Sequence, residues 1–227
     1  MKLRTVLIAA IVFIGYEVAF AQGLDGLFLQ MTMRSGTIQE NHYFFLADGR
    51  YLNGVPEGGL TAAGLERACA KPLKAYSGSS ACGSYVLNSG NLLLTPAQGR
   101  PESLTFARST DGNLTLGGQF AKHVASFPAD HRLDGRYSRN LTAAPVAYGE
   151  TYTFRPDGTF STSSLAGVST EQGLGKSETA VTGSYRLNGN VLELTSNGTT
   201  TRVVAYPYEV SKDDVRLNLN GQFFRKK

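Results

Sequence analysis

The sequence predicts an all-β protein: two tandem antiparallel, up-and-down β-barrels, with one short helix in the first. Three observations carry this expectation. The chain repeats itself, each copy alternates apolar and polar residues over short runs, and Asp-Gly or Asn-Gly pairs separate those runs.

The repeat keeps its order over nearly all of both halves. Leu24-Asp25-Gly26-Leu27-Phe28 answers to Leu133-Asp134-Gly135-Arg136-Tyr137. At the same offset Tyr43, Phe45, Asp48, Gly49 and Tyr51 fall on Tyr152, Phe154, Asp157, Gly158 and Phe160. Further on, Gly83-Ser84-Tyr85-Val86-Leu87-Asn88 matches Gly183-Ser184-Tyr185-Arg186-Leu187-Asn188. Runs ending in Leu94-Thr95 and Leu194-Thr195 follow, and Gly118-Gln119-Phe120 matches Gly221-Gln222-Phe223.

Each match has a structural reading. Asp48-Gly49 and Asp157-Gly158 join alternating runs, as hairpin turns with positive φ at both central residues. Tyr152 and Phe154 point to one side of a strand, and Thr151, Thr153 and Arg155 to the other. Tyr185 and Leu187 continue this pattern before a turn at Asn188-Gly189. Asp111-Gly112 and Asp213-Asp214 mark turns before the last strands. Seven or eight sequential strands per copy fit a closed barrel, which leaves no exposed edge. One larger barrel or sheet shared by both copies is the alternative.

The copies differ between the second hairpin strand and the Gly-Ser-Tyr motif. The first carries Leu60 to Cys69, where Leu65, Ala68 and Cys69 share a helical face and Pro72 stops the helix. The second has Gly167 to Thr179, rich in Gly, Ser and Thr, which reads as a loop.

The N-terminus reads as a secretory signal peptide over residues 1–21. Lys2 and Arg4 precede an apolar run from Val6 to Ile14, and Ala19-Phe20-Ala21 is a small-x-small cleavage site. The run is too short to span a bilayer, which takes about 20 apolar residues. No Cys follows the cleavage site to carry a lipid. The expected mature chain comprises a first barrel over 22–123, a linker over 124–131 and a second barrel over 132–227. It is expected to be soluble, and periplasmic or secreted. In an oxidising compartment the only two cysteines, Cys69 and Cys82, are expected to form a disulfide. Closing that loop would contribute about 3 kcal/mol in the chain-entropy model.

Composition bounds the function. With 41% hydrophobic and 18% charged residues the chain is neither disordered nor highly charged. Its formal charge is +4, spread along the chain except for Arg225-Lys226-Lys227, so no basic stripe suits nucleic acid. Two cysteines and three scattered histidines do not supply a zinc pattern. Gly173-Leu174-Gly175-Lys176-Ser177 resembles the end of a P-loop, but Thr170 stands where the first Gly belongs. No Gly-x-Ser-x-Gly elbow or His-Glu-x-x-His pair occurs. No cofactor and no catalytic or metal-binding residue is assigned.

The combination Phe154-Arg155-Pro156-Asp157-Gly158-Thr159-Phe160 with Gly183-Ser184-Tyr185-Arg186-Leu187-Asn188-Gly189-Asn190 resembles the lipocalin-like repeat domains of bacterial exported proteins. The resemblance covers both halves and implies a small β-barrel. Its motifs are turn and core residues, so it speaks to fold rather than to function.

The leading expectation is a non-enzymatic exported barrel protein that binds a small apolar ligand. Tyr43, Phe45, Tyr85, Tyr152, Phe154 and Tyr185 are the candidate cavity lining, unless they simply fill the cores. The alternative is a protein–protein interaction module with solid barrels, such as a hydrolase inhibitor, whose partner is another exported protein. Phe44 and Leu46 are the candidate interaction strip, because Thr153 and Arg155 stand there in the second copy. Packing against the second copy or the extra helix is the favoured explanation of that pair, ahead of a partner.

Overall fold

The computed structural model describes residues 23–34, 37–70, 81–143, 146–170, 173–211 and 214–227. The expected signal segment, Pro72 and Asp213 lie outside the described residues. The first copy forms β1 (Gly26–Arg34), β2 (Thr37–Phe45), β3 (Arg50–Asn53), α1 (Ala62–Ala70), β4 (Cys82–Asn88), β5 (Asn91–Pro96), β6 (Glu102–Arg108), β7 (Leu114–Leu116) and β8 (Gln119–His123). The second forms β9 (Gly135–Ala143), β10 (Val146–Phe154), β11 (Thr159–Thr170), β12 (Gly173–Asn188), β13 (Val191–Ser196), β14 (Thr199–Ser211), β15 (Asp214–Leu219) and β16 (Gln222–Lys226).

Each copy is a separate closed barrel of eight sequential antiparallel strands, not half of a shared one. The first closes where Phe28–Gln30 of β1 pair with Ala121–His123 of β8. The second closes where Tyr137 and Ser138 of β9 pair with Lys226 and Arg225 of β16.

The repeated motifs build equivalent closed ends. Tyr85 Oη donates to the carbonyls of Leu24 and Leu46, at 2.9 Å each. Tyr185 Oη donates to those of Leu133 at 2.8 Å and Arg155 at 3.0 Å. Each hydroxyl thus ties the strand that enters the barrel to the first hairpin turn. The glycine two residues earlier is required by a close approach. A Cβ on Gly83 or Gly183 would sit 2.1 Å from the carbonyl oxygen of Thr95 or Thr195.

The Asp-Gly hairpins form, though with a different turn. Only Gly49 and Gly158 take positive φ, at 90° and 87°. Gly49 N–H donates to Leu46 O and Leu46 N–H to Arg50 O, with the same pattern at Arg155–Thr159. This is the longer hairpin loop with one left-handed residue. Asp48 and Asp157 instead accept the backbone N–H two residues on, at Arg50 and Thr159.

The segment Gly167–Thr179 is not a loop. Its described residues extend β11 and β12, in register from Ser164↔Thr179 to Thr170↔Gly173. Small and hydroxylic side chains here accompany a two-stranded arm on the barrel. The P-loop-like residues Gly173–Ser177 therefore lie on a strand, with no helix after them.

The first copy keeps its helix and disulfide. Thr61 Oγ1 caps α1 by accepting the Gly64 N–H at 3.1 Å. Cys69 and Cys82 are bonded, with their Cα atoms 5.9 Å apart. Arg50 bridges Asp48 of the turn and Glu66 of the helix.

Three apolar cores result. Two are the barrel interiors. The third lies outside both barrels, between the first barrel, its helix and the second barrel. It joins Leu27, Leu29, Phe44 and Leu65 of the first copy to Val204 and Tyr206 of the second. The junction is packed into the fold: Val124 and Phe127 are buried, and Asn190 Nδ2 donates to the carbonyls of Ala125 and Ala205.

Candidate functional site

The six candidate cavity residues divide by depth. Phe45, Tyr85, Phe154 and Tyr185 are buried at the closed ends, where their rings meet edge to face at 5.1 and 5.2 Å. These four are core. Tyr43 and Tyr152 stand one layer higher, stacked on Phe45 and Phe154, and are only partly buried. Tyr152 lines a recess, and that recess is the candidate site.

The recess opens at the far end of the second barrel and measures about 170 Å³. Its floor is apolar, made by Leu194, Val203, Leu219 and Phe224 with the ring of Tyr152. Its rim is polar, carrying Glu150, Asn220 and Gln222. Alternation along β10 explains the order: Phe154, Tyr152, Glu150 and Tyr148 share one face, from the closed end to the mouth. Asn220 is held by its turn, with φ of 49°, and its Oδ1 accepts the Val204 N–H at 2.8 Å.

Charge enters at one register position. Glu150 pairs directly with Arg139 across β9 and β10, so both side chains lie on the face that carries Tyr137 and Tyr152. The two do not form an ion pair with each other; Arg139 Nη1 instead donates to Gln222 Oε1. Burial raises the Tyr148 and Tyr152 hydroxyls, and the adjacent Glu150 carboxylate raises them further. Both phenols stay neutral donors beside that carboxylate.

The first barrel lacks this Arg–Glu pair, though the Glu102 carboxylate acts on its Tyr43 hydroxyl. At the positions of Arg139 and Glu150 it carries Gln30 and Asn41, also directly paired. Gln30 is buried and its Nε2 donates to the Leu116 carbonyl at 3.2 Å, across the mouth. A more open hollow of about 360 Å³ lies at the opposite end of this barrel, beside the Asn88–Asn91 turn. A third groove, of about 180 Å³, runs between the barrels along Lys122–Ala125 and Tyr206–Glu209. Of the three, the second barrel's mouth combines an apolar floor, a charged rim and one of the candidate tyrosines.

Phe44 and Leu46 belong to the third core. Phe44 is 1% exposed, so it faces the second barrel and the helix rather than solvent. Beside it, His42 Nε2 and Tyr206 Oη are 2.6 Å apart and both buried. Burial lowers the His42 pKa to about 4 and raises that of Tyr206. The other histidines also sit on aromatic rings: His123 against Phe28 at 5.1 Å and His131 against Phe127 at 4.9 Å. Among the described residues no three His, Cys, Asp or Glu side chains are placed to hold a metal ion. No helix among them is long and apolar enough to cross a membrane.

Sequence reasoning singled out Tyr152 but missed Arg139, Glu150, Asn220 and Gln222. One signal was available: the internal repeat aligns the charged pair with a neutral one, marking a point where the copies differ inside the barrel.

No protein-family model matches the chain, no curated protein is significantly similar to it, and no solved structure matches it.

Proposed function

We propose that this is an exported, non-enzymatic binding protein of the lipocalin-like kind, whose second barrel takes a small amphipathic ligand in its mouth. One observation carries the reading: a recess with an apolar floor beneath a polar rim, continuous with the barrel interior. The ligand's apolar end packs on Val203, Leu219 and Phe224, and its polar end meets Glu150 and Gln222. The first barrel then serves as a solid partner that holds the second through the shared core. The signal-like N-terminus and the Cys69–Cys82 disulfide fit export to an oxidising compartment.

Native mass spectrometry of the protein purified from its own host tests this. The expected result is a co-purifying small molecule that is lost when Val203→Trp fills the recess. Mass spectra free of any adduct, together with no saturable binding across a panel of small amphiphiles, would overturn it.

A protein-partner reading has one observation of its own. Val86 and Leu93 form a directly opposed, exposed pair on the outside of the first barrel, where the second carries Arg186 and Glu193. A partner released by Val86→Arg, with the recess empty, would favour it.

A further inference from the structure

We infer that the ligand of the second barrel's mouth is a zwitterion with adjacent charges, a free α-amino acid bearing an apolar side chain. The inference rests on the mouth being the binding site and adds the chemistry of its occupant.

The charged pair is the first reason. Arg139 and Glu150 are directly opposed on the inner face of one hairpin; Glu150 lines the recess, and Arg139 is tied to its rim through Gln222, which lines it too. Neighbours of opposite charge at this spacing ordinarily join each other. Here Arg139 is drawn to Gln222 and leaves Glu150 beside the two tyrosine hydroxyls. The two charges are thus held apart and oriented by different partners. A ligand that offers a carboxylate to Arg139 and an ammonium to Glu150 satisfies both at once. A simple fatty acid would leave Glu150 facing an anion, and a simple amine would meet Arg139.

The floor is the second reason. Beneath the pair lie Leu194, Val203, Leu219 and Phe224, with no ionisable group among them. About 170 Å³ suits one compact aliphatic or aromatic side chain rather than a long acyl tail. The first barrel supplies the contrast within the same molecule. It keeps the same aromatic layers below, but its paired rim residues are Gln30 and Asn41, and Gln30 hydrogen-bonds the barrel's own backbone. Among the described residues the directly opposed Arg–Glu pair stands in the second mouth, whereas the first has the single carboxylate of Glu102, which acts on Tyr43.

Isothermal titration of the mature protein with L-leucine, N-acetyl-L-leucine, L-leucinamide and 1-hexanol tests the inference. Leucine is expected to bind one to one. Each capped derivative should bind roughly tenfold more weakly or worse, since each loses one charged contact. Glu150→Gln should erase the preference for leucine over the N-acetyl form. Arg139→Gln should erase its preference over the amide. Both residues are partly exposed, and retained circular dichroism of the variants verifies their folding. The inference is overturned if leucine and phenylalanine give no saturable heat up to about 10 mM, or if the capped forms bind equally well. It is also overturned if neither variant changes the ranking. If hexanol binds and Val203→Trp abolishes that binding while amino acids do not bind, the mouth remains the site and only the zwitterion falls. If Val203→Trp leaves all binding unchanged, the mouth itself is the wrong site.

Discussion

The outer face of the first hairpin is apolar in one copy and polar in the other. In the first barrel it reads Leu27, Leu29, Met31, Phe44 and Leu46; in the second it reads Arg136, Ser138, Asn140, Thr153 and Arg155. The strands and register are equivalent, and the inner faces match except at the mouth. One face is covered by α1, β14 and β16, and the other meets solvent. A duplicated barrel therefore needs its inner face to fold and has its outer face free for other uses. In the first copy that face became a docking surface for the second. The second copy differs also on its inner face at the mouth, where Arg139 and Glu150 stand at the positions of Gln30 and Asn41.

Exchanging residues between the copies tests this division, and the largest effect is expected at Phe44. Phe44→Thr, the residue of the second copy, removes a fully buried ring from the third core and should cost about 3–5 kcal/mol in urea denaturation. Acidification comes next. The folded-state pKa of His42, about 4, lies below the 6.5 of an unperturbed imidazole. The unfolded chain thus binds more protons between these values, so stability is full above pH 6.5 and is lost as pH falls toward 4. The loss should approach about 3 kcal/mol, measured as the difference between wild type and His42→Gln at pH 7 and pH 4. Glu40, whose pKa burial raises against the pull of Arg216 and Arg139, acts in the opposite sense just above its ordinary value. Glu40 is common to both chains, so it drops out of that difference. Replacing Cys69 and Cys82 by Ser should lower stability by about 2–3 kcal/mol, read by thermal unfolding. The smallest effect belongs to Thr153→Phe, the reverse exchange: within about 0.5 kcal/mol, with self-association in sedimentation as its main sign.

Much of the fold was legible because duplication separates core from surface. Tyr85 and Tyr185, Gly83 and Gly183, and the Asp-Gly turns recur since each barrel needs the same ring, the same close approach and the same loop. The helix and disulfide were readable from Leu65, Ala68 and Cys69 on one face. The arm over Gly167–Thr179 was misread because Gly, Ser and Thr are ordinary loop residues, and their strand state is fixed by pairing between β11 and β12. The third core was legible as an apolar pair, Phe44 and Leu46, with packing on the second copy or the extra helix favoured over a partner. A strand shows that its outer face is apolar, and only the fold shows which residues cover it. Arg139 and Glu150 were invisible for a related reason. Single charges on strands normally face water, and only barrel closure brings Glu150 to the recess and Arg139 to Gln222 at its rim.

Differential scanning calorimetry of the protein at pH 7 tests most directly whether the third core makes one unit of two barrels. Leu27, Phe44, Val204 and Tyr206 are all at most 1% exposed there, so neither barrel can unfold without uncovering the other. The expected result is a single transition whose calorimetric and van't Hoff enthalpies agree, splitting into two in Phe44→Arg. Two separate transitions in the wild-type protein would contradict it, and would mean that the barrels are independent beads in light contact.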